Sequence, residues 1–160
     1  MTSMPAGDAE RTIADYASAL ASHLADVERY LALTDQEAQA AASGDVTVLE
    51  SLVAARDAEM ARLLDTAAAL APVRQVVESL GPPWNSHPAW VAAATTRARI
   101  RERLDTIAAQ DAQTLAVLEA SRNRSQQDLQ ELEAASATLV AYRRTLAPAT
   151  RPAALLDHRG

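Results

Sequence analysis

Three histidines, His23, His87 and His158, lie in three different segments of this chain. A metal centre on a helix needs two ligands on one face, which a Glu-x-x-His or His-x-x-x-His step supplies. Neither step occurs. Serines and carboxylates are plentiful, yet none sits in a nucleophile turn or a paired-acid arrangement. No glycine-rich loop is available to cradle a phosphate. Cysteine is absent, so there is no thiol chemistry and no disulfide framework. Reactive residue types are present without reactive spacing. The expectation is a protein with no catalytic residues, no metal and no cofactor.

Charged residues are more informative by position. Arg97-Ala-Arg99-Ile-Arg101-Glu-Arg103 is the one basic cluster. It could face an acidic partner or nucleic acid. The favoured reading is a solvated helix face, because Arg97 and Arg101 are four apart and Glu102 and Asp105 dilute the charge. A net charge of −6 argues against a general nucleic-acid binder. Arg56, Asp111 and Arg122 fall where the surrounding repeat calls for apolar knobs, and a polar seam residue can fix register or partner choice. An Arg56–Asp111 ion pair across a bundle is one reading; arginines snorkelling at the seam edge is the other.

These residues must be positioned by helices. The 160 residues fit one domain. The hydrophobic fraction of 49% is largely alanine, phenylalanine is absent and aromatics make up 3%, so a thick core with a deep pocket is not expected. No stretch reaches eighteen consecutive apolar residues and the start lacks a secretory pattern. The reading is a soluble, cytoplasmic protein with no membrane insertion.

Glycine and proline punctuate the chain. Residues 1–7 read as a flexible N-terminus. A first helix is predicted over 8–43, with Asp8 as N-cap, and Ser43-Gly44-Asp45 as a turn carrying the next cap. The alternative is one continuous rod through Gly44. A second helix follows over 46–80, which Pro72 should kink or end. After Gly81-Pro82-Pro83 and a connection capped by Ser86 or His87, a third helix is predicted over 88–146. It contains no glycine or internal proline and is roughly 90 Å long. Residues 147–160 read as a mobile tail. The fold class is all-α: an elongated antiparallel bundle or coiled coil of three long helices, the third longest.

Apolar periodicity supplies the seams. In the first helix Ile13, Ala17, Leu20, Leu24, Val27, Leu31, Thr34, Ala38 and Ala41 alternate steps of four and three. In the second, Leu49, Val53, Met60, Leu63, Ala67, Leu70 and Val77 do the same, with Arg56 and Arg74 between. The third runs from Trp90 through Ala93, Arg97, Ile100, Leu104 and Ile107 to Asp111. It then needs both Leu115 and Leu118, an apparent change of period. Glu119 to Asp128 contains no large apolar side chain. Beyond it, Leu129, Leu132, Leu139, Tyr142 and Leu146 form an amphipathic stripe, read as a partner-binding surface unless early residues of the first helix or a second copy cover it.

Together these blocks resemble the FlgN family of flagellar export chaperones. The likeness runs from about Leu20 to the end. Leu31-Ala-Leu-Thr-Asp-Gln-Glu37, Ala40-Ala-Ala-Ser-Gly-Asp45, Leu49-Glu-Ser-Leu-Val-Ala-Ala-Arg56 and Leu63-Leu64 are similar to the family's helix–Gly-Asp–helix region. Leu104-Asp-Thr-Ile107, Asp111, Leu115, Leu118, Arg122-Asn123 and Leu129 are similar to its long third helix, and Leu155-Leu-Asp-His158-Arg-Gly160 to its short tails. The resemblance implies a cytoplasmic chaperone without ATPase activity. Its partners would be hook–filament junction (hook-associated) proteins, held by the C-terminal helix and tail, and the flagellar type III export gate. Tyr142 is the match to the family's gate-docking tyrosine. Rival readings are a FliT-like chaperone of the filament cap and a structural coiled-coil adaptor, which a homodimer with a buried stripe would favour.

Overall fold

The computed structural model describes residues 5–146. Among them the only regular elements are helical: α1 (Ala6–Ser43), α2 (Val46–Ser79), a single 3-10 turn (Pro82–Trp84) and α3 (Pro88–Leu146). The chain divides after Leu118 into two units. The first holds α1, α2 and the first part of α3; the second is the rest of α3. Of the N-terminus expected to be flexible, 1–7, residues 1–4 lie outside the described residues, as does the tail 147–160, whereas Ala6 and Gly7 already belong to α1.

Helix ends follow local chemistry. α1 begins two residues earlier than the sequence suggested: the carbonyl of Pro5 accepts from the amides of Asp8 and Ala9 at 3.0 Å. Asp8 therefore sits in the first turn, where its charge suits the helix dipole, and not at the cap. Gly44, at φ 71°, ends α1. The amide of Gly44 donates to Ala41 O and that of Asp45 to Ala40 O, closing a left-handed glycine cap. Asp45 then turns from ending one helix to starting the next, its Oδ1 accepting from the Val48 amide at 3.1 Å. α1 and α2 are thus a hairpin and not a continuous rod.

Pro72 does not end or interrupt α2. It lacks an amide to give the Ala68 carbonyl, but both residues are solvent-facing, so water can take that bond and the helix continues. At the other end of the connection, His87 caps α3: the Ala89 amide donates to His87 Nδ1 at 3.3 Å, and the Val91 amide to its carbonyl at 3.0 Å.

Cross-helix pairs give the topology of the first unit. Arg56 meets Glu37 and Arg29 meets Glu59, so α2 runs antiparallel to α1. Arg97 meets Glu78 while Asp111 meets Arg56, so α3 runs antiparallel to α2. Glu10 meets His87 and Asp35 meets Gln110, so α3 is parallel to α1. The core runs between the three helices through Ile13, Tyr16, Leu20, Val27, Tyr30, Leu63, Val77, Ala93, Ile100 and Ile107.

The seams are rotated from those the apolar pattern suggested. α1 buries Ile13, Leu20, Val27, Thr34 and Ala41 as expected, but Tyr16 and Tyr30 are buried beside them, while Ala17 and Leu31 are only half-buried. In α2 the inward run is Leu49, Leu52, Arg56, Glu59, Leu63, Thr66, Leu70, Val73, Val77 and Leu80, an unbroken alternation of three and four. Val53 and Met60 face outward. An apolar criterion misses this face because Glu59, 7% exposed, occupies it. Arg62 Nη1 lies 3.1 Å and Arg29 Nε 3.4 Å from its carboxylate, so the buried charge is matched. In α3 the period does not change between Ile107 and Leu118. Thr114 is buried and fills the seam position there, and Leu115 is exposed. The seam continues through Asp111, Thr114 and Leu118 in regular steps.

Because Pro72 forfeits a helical hydrogen bond on an exposed face, Pro72→Ala should raise stability, by about 1–3 kcal/mol. Urea unfolding monitored by helical circular dichroism measures it; an unchanged or lowered midpoint would contradict this reading of α2.

Candidate partner-binding surfaces

Arg56 is the polar centre of the first unit. Its Nη1 donates to Glu37 Oε2 at 2.5 Å, and its Nη2 to Tyr30 Oη at 2.7 Å and Asp111 Oδ2 at 2.9 Å. Its guanidinium carbon also stands 4.8 Å from the centre of the Tyr30 ring. One side chain from α2 therefore binds two from α1 and one from α3. Burial by itself disfavours the charged guanidinium, but the hydrogen bonds to Asp111, Glu37 and Tyr30 outweigh it and raise its pKa above the ordinary arginine value. Arg56 and Asp111, paired on sequence grounds, are thus brought into contact. Glu37 and Tyr30 were not singled out. The signal for them is a heptad, Tyr16, His23, Tyr30 and Glu37, in which each residue has a polar tip and an apolar body.

A second feature is a groove of about 320 Å³ in the same unit. Tyr16, Leu20 and His23 of α1 line it together with Leu70 of α2 and Ile100 and Leu104 of α3. It stays open because α2 contributes Ala67 and Ala71, which are too small to close the space. Arg74, Arg97 and Arg101 also line it. Glu78 pairs with Arg74 at 3.4 Å and with Arg97 at 3.5 Å, and Arg97 stands over the Trp90 ring. Arg101 has no ion-pair partner among the described residues. The basic cluster is thus more than a solvated face: Arg97 is half-buried, and Arg97 and Arg101 border a cavity. His23 Nδ1 is buried with no hydrogen-bond partner, and burial holds the His23 pKa below the ordinary 6.5.

The second unit consists, among the described residues, of α3 from Glu119 onward, and every described side chain in it is exposed. Leu129, Leu132, Leu139 and Tyr142 are 60, 68, 63 and 60% exposed. Steps of three and seven keep them on one broad stripe. Leu146 closes the helix, and its side chain lies outside the described residues. Among the described residues nothing buries these large apolar side chains.

Among the described residues no cluster of three His, Asp or Glu side chains could hold a metal, and no helix is long and apolar enough to cross a membrane. A scan against protein-family models, a search of curated proteins and a search of solved structures each return no match to this chain.

Two expectations follow from the geometry. The Asp111 side chain is 40% exposed whereas Glu37 is 12% exposed, so solvent screens the first pair with Arg56 more than the second. Double-mutant cycles on thermal stability should give a larger coupling for Arg56–Glu37, about 1–2 kcal/mol, than for Arg56–Asp111; equal couplings, or the reverse order, would refute this. For His23 the folded pKa lies below the unfolded value. The unfolded chain therefore takes up the proton first, and stability present above about pH 6.5 falls as the pH drops toward the folded pKa. His23→Gln should lose less thermal stability than the parent chain between pH 7.5 and 5.5 (roughly one pH unit either side of 6.5); parallel losses would exclude this role.

Proposed function

We propose that the chain is a FlgN-like export chaperone: it holds hook–filament junction proteins on the stripe Leu129, Leu132, Leu139, Tyr142 and Leu146 and delivers them to the flagellar type III export gate. The observation that carries this reading is the exposure of Leu129, Leu132, Leu139 and Tyr142 on a continuous helix. A cargo helix of matching period would pack its own apolar residues between these leucines, completing a coiled coil that the free chain lacks. Holding the cargo's terminal helix in this way would also keep it from assembling early. The three-helix arrangement, with a Gly-Asp turn between the first two helices and a third that is much the longest, fits the architecture the resemblance implies.

The reaction needs no nucleotide. Binding is driven by apolar burial, and release follows when the gate takes the cargo segment. Tyr142 stands near the end of the stripe, exposed, with a phenol that a gate protein can read separately from the leucines.

Each leucine that passes from water into a seam contributes about 1.5–3 kcal/mol. Replacing Leu129, Leu132 and Leu139 together by Ser in the full chain should therefore weaken cargo binding by far more than roughly tenfold. Helix content and melting of the first unit should be unchanged. Shortening the chain after Asp128 should act the same way. The check is titration calorimetry with hook-associated proteins encoded by the same genome; undiminished affinity in either variant removes the proposal. Retention of a filament-cap protein instead would favour the FliT-like reading. Tyr142→Phe, which keeps the ring on the stripe and removes the phenol hydroxyl, should keep cargo affinity within about twofold, a few tenths of a kcal/mol, while reducing export of that cargo in cells.

A further inference from the structure

We infer that the arginine-lined groove of the first unit receives the acidic leucine segment of a second copy of this chain. The groove supplies an apolar lining of Leu70, Ile100 and Leu104 together with Arg74, Arg97 and Arg101. Among the described residues the single carboxylate paired with those arginines, Glu78, is shared between Arg74 and Arg97. The positive charge therefore exceeds its local partners, in a protein whose net charge is −6. An occupant with two features fits: apolar side chains at helical spacing, and carboxylates on either side of them.

The chain contains such a segment. Between Ser125 and Tyr142 it has three acids, Asp128, Glu131 and Glu133, and no base. Asp128 lies four residues before Leu132, and Glu133 four residues after Leu129. Both carboxylates therefore border the leucine face of the helix. Leu129 and Leu132, both exposed, are the large apolar side chains that stand among these acids. Placed against the open side of the groove, the two leucines meet Leu104, itself exposed, and the alanine gap, while Asp128 and Glu133 reach Arg74 and Arg101. Exposed charge pairs of this kind set orientation and partner choice more than raw affinity, so the association is weak and salt-dependent. A foreign acidic amphipathic helix has the same chemistry; the copy is favoured because its complementary charges and leucines are already present at the protein's own concentration.

The inference does not rest on the chaperone reading and is tested on the chain alone, by sedimentation equilibrium across a concentration series at low and high salt. The parent chain should show a reversible monomer–dimer equilibrium weakened by salt. Arg74→Glu with Arg101→Glu should weaken it by roughly tenfold or more. Asp128→Arg with Glu133→Arg should do the same. A mixture of the two charge-reversed chains should associate again, because each reversed groove then meets a reversed segment. Circular dichroism confirms that the variants keep their helices, as expected for surface positions. A chain that stays monomeric throughout, a dimer indifferent to both reversals, or a mixture that associates no better than either variant alone would each overturn the proposal.

Discussion

One guanidinium ties the three helices of the first unit together. A heptad of alanine, leucine and valine can slip by seven residues at modest loss, because each layer resembles the next. Arg56 removes that freedom. It cannot shed its charge, and once partly buried it needs carboxylates and a hydroxyl at fixed positions. Glu37 and Tyr30 of α1 and Asp111 of α3 provide them, with distances of 2.5 to 2.9 Å. Only one register of α1 against α2, and one of α3 against both, brings these groups together. Glu59, three residues beyond Arg56 on α2, repeats the device with Arg29 and Arg62.

Much of this was legible in the sequence, and what was not has a common cause. The helix count, the Gly44 turn, the Asp45 cap and the start of α3 at Pro88 follow from glycine, proline and capping chemistry, which act locally. The seam faces were harder, because apolarity was used as the marker of burial. That criterion chose Met60 over Glu59, Leu115 over Thr114 and Leu31 over Tyr30. In each pair the buried residue carries a polar atom. Two of those atoms are served by neighbours that sequence alone does not place: Glu59 by arginines from two helices, Tyr30 by Arg56. That α2 continues through Pro72 has a related reason: the cost of the proline depends on whether the freed carbonyl reaches water, and that is set by the face it occupies.

The surfaces divide in the same way. The leucine–tyrosine stripe was visible as a pattern because it stands in a helix without competing buried residues. The groove was not, since it arises from what α2 omits at Ala67 and Ala71 and from side chains on three helices. One helix thus has two environments: residues of α3 up to Leu118 close a core, and the described residues from Glu119 onward are exposed. Under the two proposals Leu129 and Leu132 would serve both cargo and a second copy, so self-association would lower the free surface until a better partner displaced it.

The central claim is that α3, although one helix, is a core element on one side of Leu118 and an uncovered surface on the other. Amide hydrogen exchange on dilute, monomeric chain tests it most directly. Exchange from Ala93 to Thr114 should require unfolding of the bundle and be slow. Amides from Asn123 to Tyr142, held by helical bonds alone, should exchange by local fraying, orders of magnitude faster. Uniform slow exchange from Ala93 to Tyr142 would mean that the second half is packed in the free chain, and the account would be wrong.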